Sequence, residues 1–240
     1  MNTFETTASD FIAVDGQAST VSEAIHTRHS IREFEAREVP EAVIHKVFGD
    51  ALRAASWKNS QPWEVHVVTG AARNEISKRL VEAAQSGEPK PDTAWPAAGP
   101  ADAKRRMFDL GMKIYGVAGI DRKDKEARDS FMLRNFSFFD APVAAFITTR
   151  FDLNFYVGLD IGCYLNTVML LARENGLGSC PQAALSAFPD VVRDALKLSP
   201  EHRVACGISL GFPKPDSQLN RFHTPRESSE DLIRVVKTLP

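Results

Sequence analysis

Cysteine is scarce in this chain: Cys163, Cys180 and Cys206 are the only three among 240 residues. An odd number at wide spacing, with no Cys-x-x-Cys, argues against a disulfide framework and against a structural zinc site. Cys163 and Cys206 sit in apolar surroundings and read as small core residues. Gly-x-Gly-x-x-Gly after a strand and Gly-x-x-x-x-Gly-Lys-Ser/Thr are both missing, which disfavours the common dinucleotide and nucleoside-triphosphate folds. There is no His-Glu-x-x-His, and the six histidines are scattered, so no metal site is expected. No Gly-x-Ser-x-Gly elbow is present. Neither charge sign dominates: 29 Lys and Arg against 31 Asp and Glu leave a formal net charge of −2, which argues against general nucleic-acid binding. No apolar run approaches the ~20 residues that span a bilayer. Met1 to Ser19 has acidic residues and lacks the basic start and apolar run of a secretory signal. The expectation is a cytoplasmic protein with no nucleic-acid or membrane partner.

What is present is a globular composition, 43% hydrophobic and 25% charged, enough for a substantial core. Residues 1–19 read as a leader and 20–240 as one domain. Thr20-Val21-Ser22-Glu23 is a capping box that opens a short helix running into Arg28. Pro40 at a first helical position opens a second helix. Its apolar rows are Val43, Val47, Ala51 and Ile44, Phe48, Leu52, and it ends near Ser56. Val65 to Val68 reads as a strand stopped by Gly70, followed by a helix carrying Ala72, Ile76, Leu80 and Ala83. Gly87 to Pro100 holds four prolines and two glycines and is irregular; it is either a linker or the start of a lid, and the lid is favoured. Two amphipathic helices over 101–119 and 122–138 complete that excursion.

Pro142 precedes a strand over Val143 to Thr149. Phe155 to Glu174 is apolar on most faces and is expected to be a central buried helix, with Gly176 and Gly178 as its stops. A loop over Ser179 to Ala184, a short helix opened by Pro189 and a strand over Val204 to Leu210 follow. Gly211 to Arg226 is a Pro-rich connection, and Asp231 to Leu239 is helix or strand. Few, well-separated strands between helices indicate an α+β domain with helices on both faces of one sheet.

The chemistry-bearing residues form separated groups. Arg28 and Arg32 are either a solvated face or a fork for one phosphate, and Arg221 in the late Pro-rich connection favours the phosphate. Arginine suits that task because its planar guanidinium makes paired charge-assisted bonds and stays charged. Ala54 to Trp63 interrupts a helix with Ser, Asn and Gln, side chains that can bond a polar heteroaromatic edge.

These groups resemble the motifs of the FMN-dependent nitroreductases. Arg28-His29-Ser30-Ile31-Arg32 is similar to that family's phosphate and ribityl motif. Ala54 to Trp63 is similar to its Ala-Pro-Ser-x-x-Asn-x-Gln-Pro-Trp motif. Gly176 to Ala183 is similar to the loop along the flavin ring, and Gly211-Phe212-Pro213 with Asn220-Arg221 to the C-terminal phosphate loop. The likeness runs from about residue 20 to the end. Ala55 departs from the family's usual proline, and Trp57 from its usual smaller residue.

The resemblance implies a three-layer α+β fold, a mixed central sheet flanked by helices, in an intertwined homodimer with FMN sites between the subunits. FMN contacts would come from Arg28, His29, Ser30, Arg32, Ala55, Ser56, Asn59, Pro181, Gln182, Ala183, Asn220 and Arg221. The backbone near Ala183 would face the flavin N5, and no side chain would act as a catalytic residue. NADH or NADPH would be the reductant and a small planar aromatic the acceptor. Nitroarenes would be reduced by a ping-pong mechanism through nitroso to hydroxylamine. Quinone, enone or flavin reduction, reductive dehalogenation, or flavin binding without catalysis are the alternatives. Within the 87–139 excursion Tyr115 is a candidate substrate contact or a packing residue. Trp57 is a pocket wall or a core filler. Phe136, Phe138 and Phe139 are expected to pack.

Overall fold

The computed structural model describes residues 16–96 and 99–239. Most of the expected leader lies outside the described residues. Gly16 to Ser19 are held down: Ala18 is buried and its N–H donates to Arg173 O at 3.2 Å. Arg173 Nη1 donates to Gly16 O at 2.6 Å.

Among the described residues the chain runs α1 (Val21–Thr27), α2 (Glu41–Asp50), β1 (Glu64–Thr69), α3 (Gly70–Ser86), α4 (Ala101–Val117), α5 (Lys125–Leu133), β2 (Val143–Thr149) and α6 (Phe155–Glu174). It continues with β3 (Gly178–Gln182), α7 (Pro189–Leu196), β4 (Arg203–Gly211), α8 (Gln218–Arg221) and α9 (Ser229–Leu232). The capping box forms as read: Glu23 N–H donates to Thr20 Oγ1 at 3.1 Å, and the Glu23 carboxylate accepts from Ser19 N–H at 2.7 Å. Pro40 serves as N-cap, one residue before the expected position. Pro189 occupies the first turn of α7, where its missing N–H costs nothing.

The four strands form one sheet in the order β1-β2-β4-β3, antiparallel at every pair. Its parallel component is a single bridge between Ser30 and Ser179. Strand β2 is buried on both faces, and its alternation sorts the core into two layers. Val143, Ala145 and Ile147 face α2 and α6, meeting Val47, Phe48, Ile161, Tyr164 and Val168. Ala144 and Phe146 face α3 and α7, meeting Ile76, Leu80, Leu185 and Val192. The result is three layers, helix on sheet on helix.

Four expectations need correction. The second lid helix stops at Leu133, not 138, because Phe138, Phe139 and Asp140 take left-handed backbone angles (φ 59°, 53° and 64°); burial of Phe138 and Phe139 against Phe146 and Phe131 holds that turn. Residues 178–182 are an edge strand, not a loop. Gly178 is therefore no helix stop, whereas Gly176 (φ 71°) is. Helix α6 is not buried all round: Phe155 is 76% exposed, and Tyr156, Leu159 and Cys163 are exposed too, so Cys163 is not the core residue its apolar neighbours suggested. By length and mean hydropathy α6 could also cross a bilayer, but its buried Asp160 and Arg173 are bonded within the protein and it packs on the sheet. The final segment is one helical turn followed by irregular chain.

Candidate functional site

Helix α1 ends where Arg28 leaves helical geometry (φ −68°, ψ 126°). The next residues run extended beside β3. Ser30 bridges Ser179, and Ile31 N–H donates to Ser179 O at 3.0 Å. Phe34 bridges Pro213 after β4. Asn220, fully buried on α8, locks this layout from the C-terminal side. Its Oδ1 accepts from Arg32 N–H (2.9 Å) and Glu33 N–H (3.1 Å), and its Nδ2 donates to Glu33 O (2.6 Å) and Lys214 O (3.3 Å). The Asn220 amide is thus fully occupied inside the chain and holds the arginine segment in place. His29 is buried with Nδ1 2.9 Å from Thr27 O and Nε2 against Asn220 O. Burial holds its pKa below the ordinary imidazole value, despite those two carbonyls and with a further push from His223 and Arg28.

Arginines from separate segments of the chain act on one another and on Cys180 in β3. Arg28 is half-buried, and its guanidinium donates only weakly to Met169 Sδ at 3.8 Å. Burial and the neighbouring Arg226 hold its pKa below the ordinary arginine value, with Cys180 acting the other way. Arg32 lies close enough to Cys180 to act on it as well. Burial pushes the Cys180 thiol up, against the pull of Arg32, a bond from Ser30 and the pull of Arg28. Among the described residues no carboxylate lies within ion-pair distance of Arg28, Arg32, Arg221 or Arg226. A group of forked cations without counter-charge fits a phosphate-bearing ligand.

The late Pro-rich connection offers two arginines, of which the sequence expectation named Arg221. Arg226, not singled out there, acts on Arg28 while its Nη1 donates to Thr224 O (2.8 Å) and Pro225 O (3.1 Å); Arg221 Nη2 donates to Pro215 O at 3.3 Å. The available signal was a further arginine in the same Pro-rich connection.

The second motif folds as a constrained loop. Lys58, Asn59 and Gln61 all have positive φ (48°, 60° and 45°), a conformation that costs side-chain-bearing residues about 1–2 kcal/mol each. Such outliers collect at functional sites. Ser56 Oγ accepts from Gln61 N–H at 3.0 Å, and Asn59 Oδ1 from Gln61 Nε2 at 3.2 Å. Asp160, buried in α6, anchors the loop: both its oxygens accept from Trp57 N–H (3.1 and 3.0 Å), and Oδ2 lies 3.3 Å from Ser60 Oγ. Sequence reading passed over Asp160, although an acid inside an apolar helix was the signal. Trp57 is 60% exposed and so is no core filler. The core tryptophan is Trp63, stacked on Tyr164 with centroids 5.1 Å apart. Ala55 is exposed in the loop.

At the end of β3, Pro181 is half-buried and Ala183 exposed. Gln182 is buried, with its amide bonded to Ser209 Oγ and to Asn135 O (2.9 Å). Tyr115 packs edge-on to Phe131 at 6.0 Å on the half-buried side of α4, a helix without a buried residue. A cavity of about 1300 Å³ lies elsewhere, between α2 and β1 at the open edge of the sheet. It contains none of the motif residues except Trp63. Unneutralised arginines are a more specific guide to an anion than cavity size is, because an unpaired strand edge leaves a groove whatever the chemistry.

Comparison with known proteins bears on the family and the fold. The family model described as the nitroreductase family matches residues 25–212. A 4-nitrobenzoate reductase from Pseudomonas putida is 32% identical over 206 residues, covering 86% of this chain and 91% of that protein. Nitroreductase NfnB from Mycolicibacterium smegmatis is 30% identical over 220 residues, 90% and 93% of the two chains. Among solved structures, the FMN and NADPH-dependent nitroreductase NfnB from Sphigopyxis sp. strain HMH superposes with TM-score 0.87 at 30% identity, covering 91% of this chain and all of that one.

Proposed function

The chain belongs to the nitroreductase family, and from that premise we propose that it is an FMN-dependent NAD(P)H oxidoreductase reducing nitroaromatic compounds through nitroso to hydroxylamine. The observation that carries the reading is the unneutralised arginine group around β3. When bound, the flavin supplies the two-electron carrier between nicotinamide and acceptor, which explains why the chain needs no triad, metal or carboxylate pair. Arg28 and Arg226 hold the phosphate. Ser30 and Arg32 hold the ribityl side, on the segment that Asn220 fixes. His29 and Gln182, occupied by protein partners, shape the wall. The backbone of Ala183, an exposed residue at the end of β3, would face the ring where negative charge develops, and a fixed N–H there would need no reorganisation.

The site belongs to a homodimer in this reading, with Ser56 and Asn59 of the partner subunit at the flavin edge. Three features support a partner copy. Helix α6 presents Phe155, Tyr156 and Leu159 outward. The groove beside β1 lies open at the sheet edge. The tail leaves Ile233, Val235, Val236 and Leu239 exposed.

The visible spectrum of the purified protein tests the assignment. Flavin bands are expected, bleached by NADPH under nitrogen and restored by nitrobenzene. A colourless protein that takes up no added FMN would refute it. Bands that bleach but do not return with any nitroarene would confine the chain to another acceptor.

A further inference from the structure

We propose that Lys58 and Trp57 form the acceptor-recognition element, and that it selects flat aromatic acceptors bearing an anionic substituent, a ring carboxylate being the simplest. The inference rests on the reading of the chain as a nitroaromatic reductase and adds the substrate class.

Trp57 is the most exposed of the three tryptophans. Its exposure is built in, since the buried Asp160 grips its backbone N–H with both oxygens and lies against the Ser60 hydroxyl. Lys58 is held in the left-handed region (φ 48°) between that anchor and Asn59 (φ 60°). Its Nζ stands 4.8 Å from the indole centroid, and among the described residues no carboxylate is within ion-pair distance of it. Asp160 does not neutralise it, because that carboxylate lies beneath the loop and is taken by N–H and O–H groups.

A strained backbone thus presents an open aromatic face and an uncompensated ammonium at adjacent positions. An exposed ring holds an ammonium weakly. A flat anion can stack on the indole while its charge draws the ammonium off the ring face, exchanging that weak hold for an ion pair. A neutral nitroarene gains only the stacking. The loop belongs to the motif whose Ser56 and Asn59 are assigned to the flavin edge, which puts the pair beside the reacting ring.

The test uses the FMN-loaded enzyme with NADPH and two acceptors, 4-nitrobenzoate and nitrobenzene. In Lys58→Gln the ratio of kcat/KM for nitrobenzoate to that for nitrobenzene should fall roughly fivefold, the scale of one exposed ion pair. Lys58→Arg should retain the ratio, and Lys58→Glu should push it below the Gln value. Without reductant, quenching of tryptophan fluorescence by 4-nitrobenzoate should show the same loss of affinity in Lys58→Gln. An unchanged ratio, or an effect confined to the KM for NADPH, overturns the proposal; the latter would give Lys58 to the coenzyme phosphate. If the wild type reduces neither nitroarene, the parent reading fails. The quenching titration then decides this one alone, and equal affinities in wild type and Lys58→Gln overturn it.

Discussion

Arg28 is the residue at which charge, burial and partner supply disagree most. A half-buried guanidinium ordinarily meets a carboxylate or several carbonyls, yet this one has a thioether sulfur and another arginine nearby. Two like charges held together cost free energy until an anion bridges them. Arg28→Ala and Arg226→Ala should therefore each weaken FMN binding by about 1.5–3 kcal/mol, the scale of a charge-assisted hydrogen bond. Titration of apoprotein with FMN, followed by flavin fluorescence, reads this directly. Arg221→Ala should do less, because it is the charge of Arg226, not of Arg221, that acts on Arg28. An effect of Arg221→Ala larger than those of the other two would restore it to the phosphate site. Sequence pointed to the type of residue, arginine, and to the two separated segments, the one after α1 and the late Pro-rich connection, from which the proposed phosphate site draws it. It named Arg221 and passed over Arg226, because which of the two acts on Arg28 depends on how α8 and the chain after it fold back, which local pattern does not encode.

Elements differ in how far their own residues determine them. The bounds of β2 and α6 follow directly from Pro142, from the continuous apolar run and from Asn154, whose Oδ1 caps α6 by accepting from Tyr156 and Val157 N–H. Strand β3 is the opposite case. Gly-Ser-Cys-Pro-Gln shows no alternation and little strand preference, and it is a strand because β4 pairs it in register from Gly178–Gly211 to Gln182–Gly207. The lid helix α5 was overextended for a related reason: Phe136, Phe138 and Phe139 have plausible helical spacing, but their burial is satisfied by a left-handed turn. Gly178 records how tightly β3 is used. A Cβ there would lie 2.5 Å from Ile31 Cγ1 and 2.9 Å from Pro213 Cγ, in the seam joining the arginine segment, β3 and the loop after β4. Gly178→Ala should cost about 1–3 kcal/mol through overpacking, measured as a lower urea midpoint, and should weaken FMN binding as the seam opens. A stability equal to wild type would show that the seam yields freely and does not fix the arginines.

At the scale of the whole molecule, the sheet has a helix layer on each face, but part of the apolar surface is left uncovered by the described residues. Helix α6 contributes Val157, Ile161, Tyr164 and Val168 to the core, while Phe155, Tyr156 and Leu159 point outward, with Gly158, Gly162 and Cys163 also exposed along the helix. Small residues along such a face allow close approach of a second helix, and a two-fold axis would use every contact twice. Burying each large side chain contributes about 1.5–3 kcal/mol, so the patch is large enough to matter and small enough for one charge to disrupt. Leu159→Asp should shift the protein from dimer to monomer in sedimentation. The flavin should leave in the same step, because the loop with Ser56 and Asn59 reaches the site only from the partner in the proposed arrangement. The core contacts of α6 lie on the opposite side of the helix, so far-ultraviolet circular dichroism should stay close to wild type. Removing the chain after Leu232, whose apolar residues are likewise exposed, should weaken the dimer without touching α6 or any arginine assigned to the phosphate. A Leu159→Asp protein that is monomeric, folded and still yellow would separate flavin binding from assembly and place the whole cofactor site within one chain.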